Sequence, residues 1–379
     1  SSLVAGERRP ITQLQSQTTG LKTQLSAYGK VQSALAAMRD AASKLTSPST
    51  WGASVASSSD ATSVAVTAGN GAAIGSVSVA VSQLAASQTL ASRVLPGSPS
   101  TIGTGQITIE LGTWNAGQTA FTGKSGVTPI TIDIASGEDQ LSQIRDKINA
   151  AGAGVVASVV TDSSGSRLVM RSTLTGESNG FRVTVADGDG NSADDQGLSA
   201  LAFDPTAGIG SMEQKQAAKN AIATLNGLAI NSESNTLTQA IDGLNITLLK
   251  TTSVDGISLT VGQDKEGVKK VINDFATAYN SLASLLREQT KYDATNKTAG
   301  VLQGDATAVG LQSQMRGLAS GSTTLGGSLT RLADIGLDPG IDGTLKINTS
   351  KLDGALGNLE GLKGLFMGLD SGDAANNGL

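Results

Sequence analysis

The chain has 379 residues, enough for two to four domains, with 39% hydrophobic residues, 3% aromatics, 16% charged residues and a net charge of −5. It contains no Cys and no His, which excludes disulfides, Cys- or His-ligated metal sites and every Ser–His or Cys–His catalytic arrangement. The scattered basic residues form no stripe that could track a phosphate backbone, so nucleic acid is not an expected partner, and no run of 18 apolar residues predicts membrane insertion.

Residues 7–46 carry the clearest periodicity. Ile11, Leu14, Thr18, Leu21, Leu25 and Tyr28 follow a three-to-four spacing, and Val31, Leu35, Met38, Ala42 and Leu45 continue it after one short step. Pro10 suits a first helical turn and Pro48 a stop. One apolar stripe among Gln, Ser, Thr and Lys needs partner helices. Trp51 is expected to plug the junction between the helical domain and the strands.

After Trp51 the period changes to two, the strand signature, at 53–67 and 76–82 and again at 107–111 and 130–134. Leu141, Ile144 and Ile148 mark a helix face stopped at Gly152, and strands are predicted at 154–161, 166–172 and 181–186. The Gly/Asp/Ser-rich stretch 187–217 reads as loops. A strand–helix–strand unit is predicted over 222–231, 236–241 and 244–250, then a strand at 256–261. Helical spacing returns with Val268, Ile272, Phe275, Tyr279, Leu282 and Leu286, followed by helices at 305–320 and 349–366 around a hairpin at 338–347.

The fold class expected is therefore α+β and multidomain. A helical, coiled-coil-like leg domain forms from residues 1–50 and 262–379. Two β-rich head domains are inserted between its halves, an inner one of 51–103 plus 218–261 and an outer one of 104–217. The predicted core of the leg is Leu14, Leu21, Leu25, Tyr28 and Leu35 against Val268, Ile272, Phe275, Tyr279 and Leu282. An Asp at Leu21 or Leu25 is then expected to cost about 2–5 kcal/mol.

Sequence motifs for chemistry are weak. Gly123–Lys124–Ser125 resembles the end of a phosphate-binding loop, but position 118 is Gln where Gly is required, and a strand follows instead of a helix. Asp187, Asp189 and Asn191 begin like a calcium loop, but Ser192 and Leu198 stand at the positions of the required Gly and Glu. Paired carboxylates for glycoside hydrolysis would need aromatic platforms, and the chain has two Trp residues. No enzyme, catalytic residue, metal or cofactor is expected. A trimeric surface adhesin or fibre protein with a coiled-coil stalk is an alternative reading of the same pattern.

The order of several segments resembles the flagellar hook-associated protein 2 family. The N-terminal helix carries Glu7-Arg8-Arg9-Pro10-Ile11 and Leu25-Ser26-Ala27-Tyr28-Gly29. Gln83-Leu84-Ala85 and Gln88-Thr89-Leu90 come next. Leu141–Val160 and Asn226–Ile241 are similar to the flagellin insertion repeat. The C-terminal set is the most specific: Phe275–Leu282, Gln289–Asp293, Leu302–Ala306, Ile335-Gly336-Leu337 and Asp342–Leu345.

The resemblance implies a secreted structural subunit of the oligomeric cap at the growing flagellar filament tip. Its implied partners are further copies of itself in a ring, flagellin, an export chaperone and, in some members, host mucin or cell surfaces. Export through the flagellar apparatus suits a chain without disulfides. It also implies that Ser1 and Leu379 are trimmed ends. Because no site has convincing ligand spacing, chelating divalent cations should change neither melting temperature nor oligomeric state. A rise of several degrees on adding calcium, followed by differential scanning fluorimetry, would contradict this and point to 187–195.

Overall fold

The computed structural model describes residues 2–69, 71–95, 101–369, 372 and 377–379, with side chains from Pro10 onward. The side chains of Glu7, Arg8 and Arg9 lie outside the described residues. The chain is mixed α and β. Its helices are α1 (Ser2–Leu45), α2 (Pro48–Trp51), α3 (Leu141–Ala151), α4 (Lys265–Thr290), α5 (Ala306–Ser320), α6 (Thr349–Ala355) and α7 (Leu359–Met367). Two compact units emerge: one of Ser1–Ser54 with Gln263–Leu379, the other of Val55–Gly262.

In the first unit α1 and α4 pack side by side. The Asp264 N–H, just ahead of α4, donates to the Ala53 carbonyl at 2.9 Å. At the far end, Tyr28 reaches Asp305 beyond α4. The two helices therefore run antiparallel. The contact is made from α1 by Ala27, Val31, Ala41 and Leu45, with Ala34, Met38 and Ala42 partly buried beside them. Val268, Ile272, Phe275, Tyr279, Leu282 and Leu286 face them from α4, all buried.

The Tyr279 hydroxyl donates to the Met315 carbonyl of α5 at 3.0 Å. Asn280 bonds both main-chain groups of Leu345 at 2.8 and 2.6 Å, which ties the short hairpin of Leu337–Pro339 and Leu345–Ile347 to α4. Trp51 belongs to the core of this unit. It stacks on Phe366 with ring centroids 6.1 Å apart and donates its indole N–H to the Leu45 carbonyl at 2.8 Å, inside this unit's own core. A 4-residue helix at Pro48 turns the ring back onto α7.

The strands are β1 (Ser54–Ser58), β2 (Val64–Ala68), β3 (Gly75–Gln83), β4 (Thr89–Ser92), β5 (Gly105–Trp114), β6 (Phe121–Gly123), β7 (Ile130–Ile134), β8 (Val155–Asp162), β9 (Gly165–Ser172) and β10 (Gly180–Asp187). They continue as β11 (Met212–Gln216), β12 (Ala221–Leu225), β13 (Leu228–Ser232), β14 (Thr236–Leu237), β15 (Leu244–Leu248), β16 (Ile257–Gln263), β17 (Tyr292–Asp293), β18 (Thr298–Ala299), β19 (Leu337–Pro339) and β20 (Leu345–Ile347).

The second unit holds two hydrophobic cores. A five-stranded sheet in the order β1-β16-β3-β12-β13 and a three-stranded one in the order β14-β15-β2 enclose Val64, Val79, Val81, Leu225, Ile246, Leu248 and Leu259. The other core lies between the sheet β10-β5-β6, with β7 also on β5, the sheet β11-β4-β9-β8, and α3. Ile107, Ile109, Ile144, Ile148, Leu168, Met170, Phe181 and Val183 fill it.

Several expectations are corrected. Pro10 lies inside α1, whose backbone extends to Ser2, and it lacks the N–H that would bond the carbonyl of residue 6. The apolar stretch 53–67 divides at a turn into β1 and β2, which join different sheets. Residues 222–231 are a hairpin, because Asn226–Gly227 takes the left-handed conformation at both positions (φ 48° and 83°), the signature of a two-residue turn.

No helix forms at 236–241. Thr236 and Leu237 instead pair with Thr247 and Ile246 in a strand ladder. The stretch 187–217 is not simply loop: Leu198, Leu201, Phe203 and Met212 enter the core and β11 pairs with β4. The last helix breaks into α6 and α7, where Asn358 caps α7 by accepting from the Gly361 N–H at 2.9 Å.

The half of the predicted leg core on α4 is buried, whereas Leu14, Leu21, Leu25, Tyr28 and Leu35 are exposed. The reason is length. At 1.5 Å per residue α4 spans about 39 Å and α1 about 66 Å, so an antiparallel partner of 26 residues leaves much of a 44-residue helix bare. Ile272→Ala or Leu282→Ala should cost about 2–5 kcal/mol in chemical denaturation. Leu25→Asp should change stability by less than about 0.5 kcal/mol, a reversal of the expectation drawn from periodicity.

Candidate assembly surface

The candidate surface is the outer part of α1. From Pro10 to Ser26 every residue is exposed, on all sides of the helix. Along one side lie Ile11, Leu14, Leu21 and Leu25, exposed by 56%, 63%, 65% and 72%. Tyr28 and Leu35, at 37% and 41%, carry the line toward the buried half. A single exposed leucine needs no explanation, but four apolar side chains spaced along one helical edge form a continuous strip.

The rest of the surface is polar but nearly uncharged: Lys22 and Lys30 are the two charges between Pro10 and Met38. Its hydroxyls are turned inward on the helix. Thr18, Thr19, Thr23 and Ser33 each donate to the carbonyl four residues back, at 2.7–3.0 Å. Such a surface pays little desolvation when a second helix covers it, which suits association with helices of similar character.

Of the ten predicted core residues, Val268, Ile272, Phe275, Tyr279 and Leu282 come together, while Leu14, Leu21, Leu25, Tyr28 and Leu35 stay at or near the surface. Val31, Met38, Ala42 and Leu45 of the predicted stripe do pack, joined by alanines one position round the helix. Ala27, Ala34 and Ala41 recur every seven residues among them, a small-residue repeat that a pattern of large apolar side chains does not show. Small side chains let α1 and α4 approach closely.

At the boundary between covered and bare α1, the Tyr28 hydroxyl donates to the Asp305 carboxylate. Asp305 also caps α5, accepting from the Ala308 N–H at 2.9 Å. The Tyr28 hydroxyl, then the backbone N–H groups, hold the Asp305 carboxyl below its ordinary range. The same bond raises the Tyr28 hydroxyl above its usual value.

The suspected chemical sites are committed to the fold. Asp187 accepts from the Ser199 N–H at 2.8 Å and from its hydroxyl. Asp189, Asn191 and Asp194 each accept from the backbone two residues on, at 2.8–3.3 Å. Lys124 donates to Asn179, and Val127 to Ile134 contain β7 and no helix. Among the described residues no three His, Cys, Asp or Glu side chains gather as metal ligands, and no helix is long and apolar enough to cross a membrane.

The chain has known relatives over nearly its whole length. The family model described as flagellar hook-associated protein 2 C-terminus matches residues 218–379, and that of its N-terminus matches 1–88. The flagellin hook IN motif matches residues 120–174, which contain β7, α3, β8 and β9. The B-type flagellar hook-associated protein 2 of Pseudomonas aeruginosa is 33% identical over 378 residues, covering 96% of this chain and 76% of that protein. The flagellar hook-associated protein 2 of Escherichia coli K12 is 34% identical over 368 residues, covering 94% and 74%.

A crystal structure of the D1-D2-D3 domains of the flagellar cap protein FliD from Escherichia coli superposes with a TM-score of 0.68 at 31% identity, over 93% of this chain and 92% of that one. The fold is that of a structural flagellar component. The chain belongs to the flagellar hook-associated protein 2 family, the flagellar cap proteins. The first of the two stretches similar to the flagellin repeat, Leu141–Val160, lies within the motif match. The second, Asn226–Ile241, lies in the C-terminal match and lacks a helix.

The Asp305 bond gives a pH test. A carboxyl whose folded value is depressed contributes stability that is full above its unfolded value, about 3.9, and is lost as pH falls through the lower folded value. Tyr28→Phe should therefore lower the melting temperature slightly at neutral pH and flatten its decline below about pH 4. Thermal melts from pH 7 to pH 2 read the effect.

Proposed function

We propose that this chain is a subunit of the oligomeric cap at the growing tip of a bacterial flagellar filament, outside the cell. There it promotes insertion of exported flagellin and keeps flagellin from escaping. The observation that carries this reading is the bare, low-charge apolar strip of α1, Ile11 through Leu25, in a chain of the cap family. A strip of this kind is stable in water only when other helices cover it, and a filament tip offers helices.

In this reading the helical unit engages the filament, and the β-rich middle of the chain supplies contacts between subunits. The heads are read as an inner one of 51–103 plus 218–261 and an outer one of 104–217, although Leu90, Leu95 and Ile102 pack in the core of the outer one. The subunit reaches the tip through the flagellar export apparatus, escorted by an export chaperone. The exposed head is the surface that would meet host mucin or cells in any adhesive role. No step requires a catalytic group.

Cells lacking their own cap protein test the proposal. The full-length protein should restore filament growth and stop loss of flagellin monomers to the medium. The Leu14→Asp, Leu21→Asp and Leu25→Asp triple variant should keep its fold yet fail to restore filaments. Normal filaments with the triple variant would show that the strip is not the filament contact.

A further inference from the structure

Strand β13 (Leu228–Ser232) is the last strand of the five-stranded sheet, bonded to β12 on one side and to no strand on the other. Edges of this kind are usually protected by Lys, Pro, a bulge or a covering loop. β13 has no Lys, Pro or bulge; residues 236–240 stand across a groove from it, and Thr175 bonds the Glu233 carbonyl just past its end. Its sequence is Leu-Ala-Ile-Asn-Ser, without charge or proline, its register with β12 is regular from end to end, and Leu228, Ala229 and Asn231 are exposed.

The two-residue turn at Asn226–Gly227 fixes which main-chain groups are free. Leu225 and Leu228 flank it as a hydrogen-bonded pair, and the alternation makes Ala223–Ile230 and Ala221–Ser232 bonded pairs as well. The N–H and C=O groups of Ala229 and Asn231 therefore point away from the sheet. Beside the edge runs a groove of about 290 Å³, walled by Ile230 and Ser232 on one side and residues 236–240 on the other. No wall residue is charged, in a chain whose net charge is −5.

We propose that β13 is a strand-pairing contact between two copies of this chain, antiparallel about a two-fold axis at Ile230. This rests on reading the chain as a self-assembling subunit and names one of its contact surfaces. An antiparallel strand pairing with itself is complementary by symmetry. In the register that sets Ala229 opposite Asn231, both residues of each copy exchange their free main-chain bonds. Ile230 then meets Ile230 in a close, non-hydrogen-bonded pair, with Leu228 opposite Ser232 on the groove side.

Glu233 falls opposite Gly227 and not opposite its own counterpart, so the register places no like charges together. The neutrality of strand and groove selects a second copy, because two bodies of net negative charge approach best through an uncharged strip. Five residues a side bury far less than the roughly 1,200 Å² of a stable standard interface, so the contact is weak and concentration-dependent. It joins copies in pairs and is distinct from the head-to-tail contact that closes a ring.

The absence of cysteine makes the test direct. Ile230→Cys, oxidised at increasing concentration, should give a disulfide-linked dimer at least ten times faster than Val254→Cys, whose position is 96% exposed on a loop of the same unit and sets the rate of random collision. In sedimentation velocity, Ile230→Lys and Asn231→Pro should weaken pairwise association of the intact chain at least ten-fold. Asn231→Pro removes an N–H that bonds nothing within the chain, so its melting temperature should match the parent's. Cross-linking no faster than the Val254→Cys control would overturn the pairing. So would unchanged association of both sedimentation variants while the parent self-associates, and in that case the cap reading stands. A parent that stays monomeric at every concentration would overturn both.

Discussion

The antiparallel packing of α1 on α4 is limited by the shorter helix, and most of what distinguishes the helical unit stems from that limit. The shared end is fixed where the Asp264 N–H meets the Ala53 carbonyl, so the 26 residues of α4 can cover only the adjoining part of the 44-residue α1. Within the covered part, small residues every seven positions bring the axes close, and Phe275, Tyr279 and Trp51 fill the space that remains. Beyond it, a helix with a strong apolar edge stands in water. Helices are held mainly by tertiary packing of such an edge, and here the packing reaches only the part of α1 that α4 covers.

The middle of the chain solves a different problem. With 3% aromatics in the chain, its two cores are built mainly from Val, Ile, Leu and Ala on four sheets of three to five strands. Side-chain amides bridge the pieces where strands do not. Gln88 accepts from the Phe181 N–H at 2.9 Å and donates to its carbonyl at 2.8 Å while wholly buried. Asn235 bonds both main-chain groups of Ala85, and Asn149 does the same for Ala157. Each amide imitates one rung of a ladder, so chain segments can change sheets without leaving buried main-chain groups unpaired. This accounts for a polar, amide-rich composition in a well-packed chain, and it leaves sheet edges such as β13 available.

Much of this was legible in the residues. Period-two alternation placed β3, β5 and β7, and period-3.6 spacing placed α3 and α4, because one-sided burial imposes those repeats on any chain. The absence of Cys and His by itself removes whole classes of chemistry. The ordered motifs from Phe275 to Leu345 pointed to the family that the sequence comparisons then showed. The Asn226–Gly227 turn was legible too, yet a long apolar reading of 222–231 hid it.

Periodicity could not say which apolar edge is covered. Ile11 to Leu25 has the same spacing as Val268 to Leu286, and a local pattern records that a side chain favours burial without recording whether a partner is within reach. That depended on the length of α4 and on its antiparallel course. Burial of Leu198, Leu201 and Met212 within a Gly/Asp-rich stretch likewise depended on neighbours distant in sequence, since β11 is held by β4 more than a hundred residues earlier. The sequence by itself determined the main helices, most strands and their order, and by lacking Cys and His it excluded the chemistry that needs them. Tertiary structure decided which apolar surfaces became core and which remained open, because coverage is a property of the packed pair and not of either segment alone.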